Sequence, residues 1–198
     1  MKLDRFYPIF DNTIWLERLL PLGIMLVQLR IKDKSDAETR AEIIKGKQLC
    51  AQYGAQLIVN DFWQIAIEEQ CDFIHLGQED LDFADVKAIR AAGIKIGLST
   101  HDNDELDRAL SYAPEYLALG PVYPTILKKM KWTEQGLDKV TEWKKLMGKT
   151  PLVAIGGMSV ERATGAFDAG ADIVAAVTDI TLNKDPEGRI QQWIDISR

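Results

Sequence analysis

Two carboxylates, Asp61 and Asp80, each follow a short apolar run that breaks into polar residues: Leu57-Ile58-Val59-Asn60-Asp61 and Phe73-Ile74-His75-Leu76-Gly77-Gln78-Glu79-Asp80. Neighbouring strands lie about 4.8 Å apart, so two carboxylates at the same ends of adjacent strands can converge on one divalent cation. Mg²⁺ suits such a pair, because it is commonly held by one or two carboxylates together with substrate phosphates. The competing reading makes each Asp an N-cap of the helix that follows it. A second set lies upstream, where Gln28, Arg30 and Lys32 alternate with Val27, Leu29 and Ile31. With a period of two, the polar three share one face of a strand. Two cations and an amide suit an anion, and Arg offers a bidentate fork to phosphate oxygens.

Further chemistry-bearing residues fall at the ends of other apolar runs. Ser99-Thr100-His101 places hydroxyls after one run, although Ser99 and Asp102 also fit a capping box. Gly120-Pro121-Val122-Tyr123-Pro124-Thr125 leads into Lys128 and Lys129, a basic segment able to close over a polyphosphate or to serve as a charged surface loop. Ile155-Gly156-Gly157 and Val177-Thr178 end the last two runs, where glycine N–H groups and a helix start can receive a phosphate. His75 reads as a structural residue inside a strand, and neither it nor His101 has the partners of a zinc site or a catalytic triad.

The elements that must carry these residues alternate along the chain. Strands are expected at Phe6–Phe10, Ile24–Leu29, Leu57–Asp61, Phe73–Leu76, Ile94–Ser99, Tyr116–Gly120, Leu152–Ile155 and Ile173–Val177. Runs this short and continuously apolar fit strands buried on both faces. Helices are expected at Thr13–Leu22, Ser35–Tyr53, Trp63–Ile67, Phe83–Ala92, Asp102–Tyr112, Glu134–Met147, Ser159–Ala169 and Pro186–Ile196. Ser35 and Glu38 form a capping-box pattern, and Gly54 and Gly93 supply stops. This alternation, without a linker or shift in composition, predicts an α/β fold: a (β/α)₈ TIM barrel spanning residues 1–198 as one domain. A doubly wound open sheet is the competing architecture, but no Gly-x-Gly-x-x-Gly follows the first strand. In a barrel the active site lies at the C-terminal ends of the strands, which is where the polar residues gather.

Composition narrows the partners. The chain has 198 residues, 46% of them hydrophobic, and a net charge of -6, which argues against nonspecific binding to nucleic acid or acidic membrane. Phosphorylated small molecules remain suitable ligands, since a local cluster of Arg and Lys can outweigh the global charge. Cys50 and Cys71 have no metal-ligand spacing and read as reduced core thiols. With no signal-peptide pattern and no apolar run near the roughly 20 residues of a membrane helix, a cytoplasmic location is expected. Oligomeric state is not fixed by these features, and a homodimer stays open.

Taken together, Gln28-Leu29-Arg30-Ile31-Lys32-Asp33, Asn60-Asp61, His75-Leu76-Gly77-Gln78-Glu79-Asp80, Ser99-Thr100-His101, Gly120-Pro121-Val122-Tyr123-Pro124-Thr125 and Ala154-Ile155-Gly156-Gly157 resemble the successive motifs of the thiamine phosphate synthase family. The resemblance implies a (β/α)₈ barrel that joins a hydroxymethylpyrimidine diphosphate to a thiazole phosphate, with one Mg²⁺ per active site and release of pyrophosphate. It assigns Gln28, Arg30, Lys32, Asn60, Ser99 and Lys128 to the pyrimidine diphosphate, with Arg30, Lys32 and Lys128 promoting its departure. It assigns Asp61 and Asp80 to the metal, and Thr125, Ile126, Leu127, Gly157, Val177 and Thr178 to the thiazole phosphate. Three positions depart from the family pattern. Leu127 stands where Thr is usual, Thr178 where Ser is usual, and Asp179 where a small neutral residue is common. A carboxylate at position 179 would repel a bound phosphate unless it points away. The related thiazole tautomerase carries His where this chain has Pro121. A catalytically degenerate paralogue and a phosphosugar isomerase on the same barrel are the other readings.

Overall fold

The computed structural model describes residues 3–125 and 133–198. Its strands are β1 (Phe6–Phe10), β2 (Leu26–Leu29), β3 (Gln56–Asn60), β4 (Phe73–Leu76), β5 (Lys95–Thr100), β6 (Tyr116–Leu119), β7 (Leu152–Ala154) and β8 (Ile173–Ala176). They pair in parallel in chain order, and β8 returns to β1 through the Tyr7–Ala175 register, closing the barrel. Between the strands run α1 (Thr13–Leu19), α2 (Asp36–Tyr53), α3 (Trp63–Glu68), α4 (Val86–Ala91), α5 (Asn103–Ser111), α6 (Gly136–Met147) and α7 (Val160–Asp168). After β8 come a short α8 (Thr178–Thr181) and the final α9 (Pro186–Ser197).

The local signals explain most boundaries. Ser35 and Glu38 form the expected capping box of α2, and Gly54 ends that helix with φ 69. Several expectations shift: β2 begins at Leu26 rather than Ile24, and the helix from Thr13 ends at Leu19, followed by a 3₁₀ turn at Leu20–Leu22. The helix anticipated from Phe83 begins only at Val86, because the Asp85 side chain accepts from Ala88 N and caps it there. Residues Asp80–Asp82 ahead of it make a separate 3₁₀ turn. The helix expected from Glu134 begins at Gly136. The four-residue α8 was hidden inside a connection too short to show a period.

Two packed layers follow from the alternation along each strand. Outward residues such as Val27, Leu29, Ile74, Leu76, Ile96 and Leu98 meet the helices in one continuous core. Inward residues, among them Tyr7, Ile9, Leu26, Ile58, Phe73, Tyr116 and Val153, fill the barrel itself. Tyr116 needs Gly97 on the adjacent strand, since a Cβ there would lie 2.1 Å from the phenol ring. Cys50 and Cys71 are buried, free thiols, and burial pushes them up to about 12 and about 11. Among the described residues, no helix is long and apolar enough to cross a membrane.

Candidate active site

The C-terminal ends of β3 and β4 bring the two carboxylates together as the spacing predicts. Asp61 directly follows β3, with φ 65, and its N–H donates to His75 O at 3.0 Å. Its carboxyl shares hydrogen bonds with the side chains of Asp80 and Asn60, and the Arg30 charge lies close enough to act on it. Neither Asp caps a helix. The residue before α3 is Phe62, with no side-chain cap, while Asp80 turns back so that its Oδ2 accepts from Gly77 N at 2.9 Å. Burial first, and the neighbouring Asp80 charge second, push Asp61 up to about 6. Arg30 sets one positive charge beside two carboxylates, and a divalent cation would offset the remainder. No group of three or more acidic, His or Cys side chains forms a metal cluster among the described residues. A pair of carboxylates would leave most coordination positions of such a cation to water or substrate oxygens, which suits Mg²⁺.

Strand β2 stops at Leu29, three residues before the alternating pattern ends, but Arg30 N still donates to Phe10 O at 2.7 Å and carries the register onward. Ile31 remains in the outer core, as period two requires. The polar face is not all at the mouth. Gln28 sits a layer below, 2% exposed, Arg30 is half-buried above it, and Lys32 is exposed beyond the strand. Ser99 does not join a capping box, because α5 is capped by Asp102, whose Oδ1 accepts from Glu105 N at 2.9 Å.

Ser99 belongs instead to a hydrogen-bond chain that sequence reasoning missed. Gln28 Nε2 donates to Tyr7 Oη at 2.7 Å, and Tyr7 Oη meets Tyr116 Oη at 2.9 Å. Tyr116 Oη meets His75 Nδ1 at 2.7 Å, and His75 Nε2 meets Ser99 Oγ at 2.8 Å. His75 is thus part of a Ser–His arrangement that the sequence did not suggest. Its Nδ1 faces a phenol rather than a carboxylate, and burial holds the imidazole down to about 4. A ring that stays neutral at pH 7 with so low a basicity is not the base of a nucleophilic dyad. The only sequence signal was His75 at an inward position of its strand; Tyr7 and Tyr116 are 109 residues apart in the chain.

The ends of β6, β7 and β8 form the other side of the mouth. Val122 N donates to Ile155 O and Tyr123 N to Gly156 O, at 2.9 and 3.0 Å, so the loop after β6 lies along the end of β7. Gly157 has φ 63, and a Cβ there would stand 2.4 Å from Pro124 O. Arg162, also absent from the sequence reading, donates to Gly157 O and stacks 4.6 Å over the Tyr123 ring. Thr125, Val177 and Thr178 are half-buried at the same end. Ile126, Leu127 and Lys128 lie outside the described residues. Asp179 points away from the mouth: its oxygens accept from Arg189 Nε and Nη2 and from Trp193 Nε1 on α9, each at 2.8 Å.

The family model described as thiamine monophosphate synthase matches residues 7–180. A thiamine-phosphate synthase of Rhizobium etli is 58% identical over 194 residues, covering 98% of this chain and 95% of its own. The enzyme of that name from Cronobacter sakazakii is 44% identical over 191 residues, covering 96% and 91%. Among solved structures, the thiamine phosphate pyrophosphorylase from Pyrococcus furiosus superposes with a TM-score of 0.86 at 25% identity, covering 98% of this chain and 95% of its own. The closed eight-stranded barrel, the polar mouth and the match over nearly the whole chain lead to one assignment: this chain belongs to the thiamine monophosphate synthase family.

Proposed function

We infer that this protein is a thiamine-phosphate synthase, a transferase that joins a hydroxymethylpyrimidine diphosphate to a thiazole phosphate and releases pyrophosphate. The observation that carries the reading is the Asp61–Asp80 pair beside Arg30 at the open end of the barrel, an arrangement suited to a diphosphate accompanied by a cation. Asp61 and Asp80 would hold one Mg²⁺, whose charge, when bound, offsets that of the departing diphosphate. Arg30 offers a planar fork to the same oxygens, Lys32 adds charge, and Lys128 completes the basic set. Asn60, Gln28 and Ser99 orient the pyrimidine end.

The chemistry asks for positioning rather than for a protein nucleophile. The carbon–oxygen bond to the diphosphate breaks with its electron pair leaving on oxygen. The electron-rich aminopyrimidine stabilises the benzyl-like cation that remains, and the thiazole nitrogen then bonds to that carbon. A weakly basic, neutral His75 is compatible with this scheme, which removes no proton at that stage. The thiazole phosphate is assigned to the backbone of Gly157 with Thr125, Val177 and Thr178, joined by Ile126 and Leu127. Asp179, held by Arg189, does not oppose a phosphate there, which weakens the case for a degenerate paralogue. Free, buried Cys50 and Cys71 suit a reducing cytoplasm. Incubating the purified protein with both substrates and Mg²⁺ should yield thiamine phosphate and pyrophosphate in equal amounts, and neither after chelation. No product under the first condition would overturn the assignment.

A further inference from the structure

The chain of hydrogen bonds across the barrel interior joins two residues of the proposed pyrimidine site, Gln28 and Ser99, through three that the mechanism does not use. Tyr7, Tyr116 and His75 are 1%, 0% and 8% exposed, so each polar atom must find its partner inside the chain. Every hydroxyl has one proton to give, and a neutral imidazole has one donor and one acceptor nitrogen. The direction of one bond therefore dictates all the others. With Gln28 Nε2 donating to Tyr7, the Tyr7 proton goes to Tyr116, the Tyr116 proton to His75 Nδ1, and the imidazole proton to Ser99 Oγ. The Ser99 proton then points out of the chain, while Gln28 Oε1 stays outside it at the other end. One end offers a donor and the other an acceptor. Turning the Gln28 amide over reverses each link and exchanges the two roles, and any mixed state strands a buried polar atom.

We propose that Tyr7, Tyr116 and His75 are positioning residues that lock the polarity of Gln28 to that of Ser99, so that the site always presents one donor and one acceptor to the heterocycle. An aminopyrimidine, which carries an amino donor and ring-nitrogen acceptors, has a group of each kind to offer such a pair. The inference rests on the assignment of Gln28 and Ser99 to the pyrimidine diphosphate. It makes two residues on non-adjacent strands, β2 and β5, act as one unit, whereas distant sites ordinarily contribute independently.

A double-mutant cycle tests it. Gln28→Met and Ser99→Ala are measured singly and together, in the wild-type chain and in Tyr116→Phe, which removes only the central hydroxyl. Expected in the wild-type background is non-additivity of about threefold or more in KM for the pyrimidine diphosphate. In Tyr116→Phe the two effects should multiply independently. Tyr116→Phe alone should raise that KM by about tenfold, with kcat and the thiazole-phosphate KM changed much less. Tyr7→Phe breaks the neighbouring link and should abolish the coupling in the same way, which covers the case in which Tyr116→Phe does not fold. Independent effects in the wild-type background, or coupling that survives both phenol deletions, would overturn the proposal. A wild-type protein that turns over while showing such independence leaves the functional assignment standing. A wild-type protein that makes no thiamine phosphate removes both.

Discussion

The two sides of the barrel mouth are built from different materials. On the β2–β5 side the groups proposed to act are side chains: Arg30, Asn60, Asp61, Asp80 and Ser99, linked to one another or to the barrel interior. On the β6–β8 side they are mostly backbone: Gly156 and Gly157 at positive φ, a loop hydrogen-bonded along the end of β7, and the start of α8. Of the charged residues described on that side, Asp179 faces α9 and Arg162 lies over the Tyr123 ring. A diphosphate that must leave needs concentrated, placed charge, whereas a phosphate that only anchors its substrate can be met by N–H groups that residue type does not reveal. The side-chain half is sensitive to what its residues are, and the backbone half to what conformation they hold.

The largest expected effect tests the charged half. Asp61→Asn or Asp80→Asn should lower kcat/KM by about 100-fold or more with the fold intact, since the barrel does not depend on those charges. Wild-type-like turnover in both variants would sink the metal assignment and, with it, the contrast between the two sides. Next comes Arg30→Ala, expected to lose about 1.5–3 kcal/mol of charge-assisted contact, or roughly 10- to 150-fold in kcat/KM. Lys34→Ala is the control, because Lys34 pairs with Glu42 on α2 and lies outside the alternating set. Equal losses in the two variants would show that position along β2 does not matter.

The backbone half is probed by Gly157→Ala. Left-handed φ and the contact with Pro124 O should cost about 1–3 kcal/mol in thermal unfolding. The thiazole-phosphate KM should rise by about tenfold while the pyrimidine-diphosphate KM stays nearly constant. A variant affected in both equally would mean that the loop does not discriminate between substrates. Smaller still is Asp179→Asn. Loss of the pairing with Arg189 should lower the melting temperature, at about 1–3 kcal/mol, and move activity by less than about threefold, since that carboxylate faces away from the mouth.

The smallest expected signal is a pH effect without divalent cation. Asp61 is raised from 3.8 to about 6 in the folded protein, so the folded state holds this proton more tightly than the unfolded chain does. Its stabilising contribution is complete below the unfolded value and is lost as pH rises through about 6. Denaturation followed between these limits should show that slope in the wild type and not in Asp61→Asn. A slope that persists in the variant would place its origin elsewhere.

Much of this architecture is legible in the sequence. Continuously apolar strands such as Tyr116–Leu119 and Ile173–Ala176 belong to a sheet covered on both faces, and the repeated spacing put Asp61 and Asp80 at one end of adjacent strands. Boundaries were less secure where one cap competes with another: Asp85, not Phe83, decides where α4 begins. Capping patterns also misled at Ser99, whose hydroxyl has a partner across the barrel rather than along its own chain.

By itself the sequence determined the alternation of elements, the inward and outward faces of β2, and the chemical types gathered at the strand ends, because all of these follow from local periodicity and residue identity. Tertiary structure alone decided which distant polar groups share a proton, as Tyr7 and Tyr116 do. It also decided which way Asp179 turns, and how far burial raises Asp61 and lowers His75. Closing the barrel brings strands far apart in the chain to hydrogen-bonding distance and removes their side chains from water. Hydrogen-bond direction and protonation depend on those two consequences, and neither is encoded in any local stretch of residues.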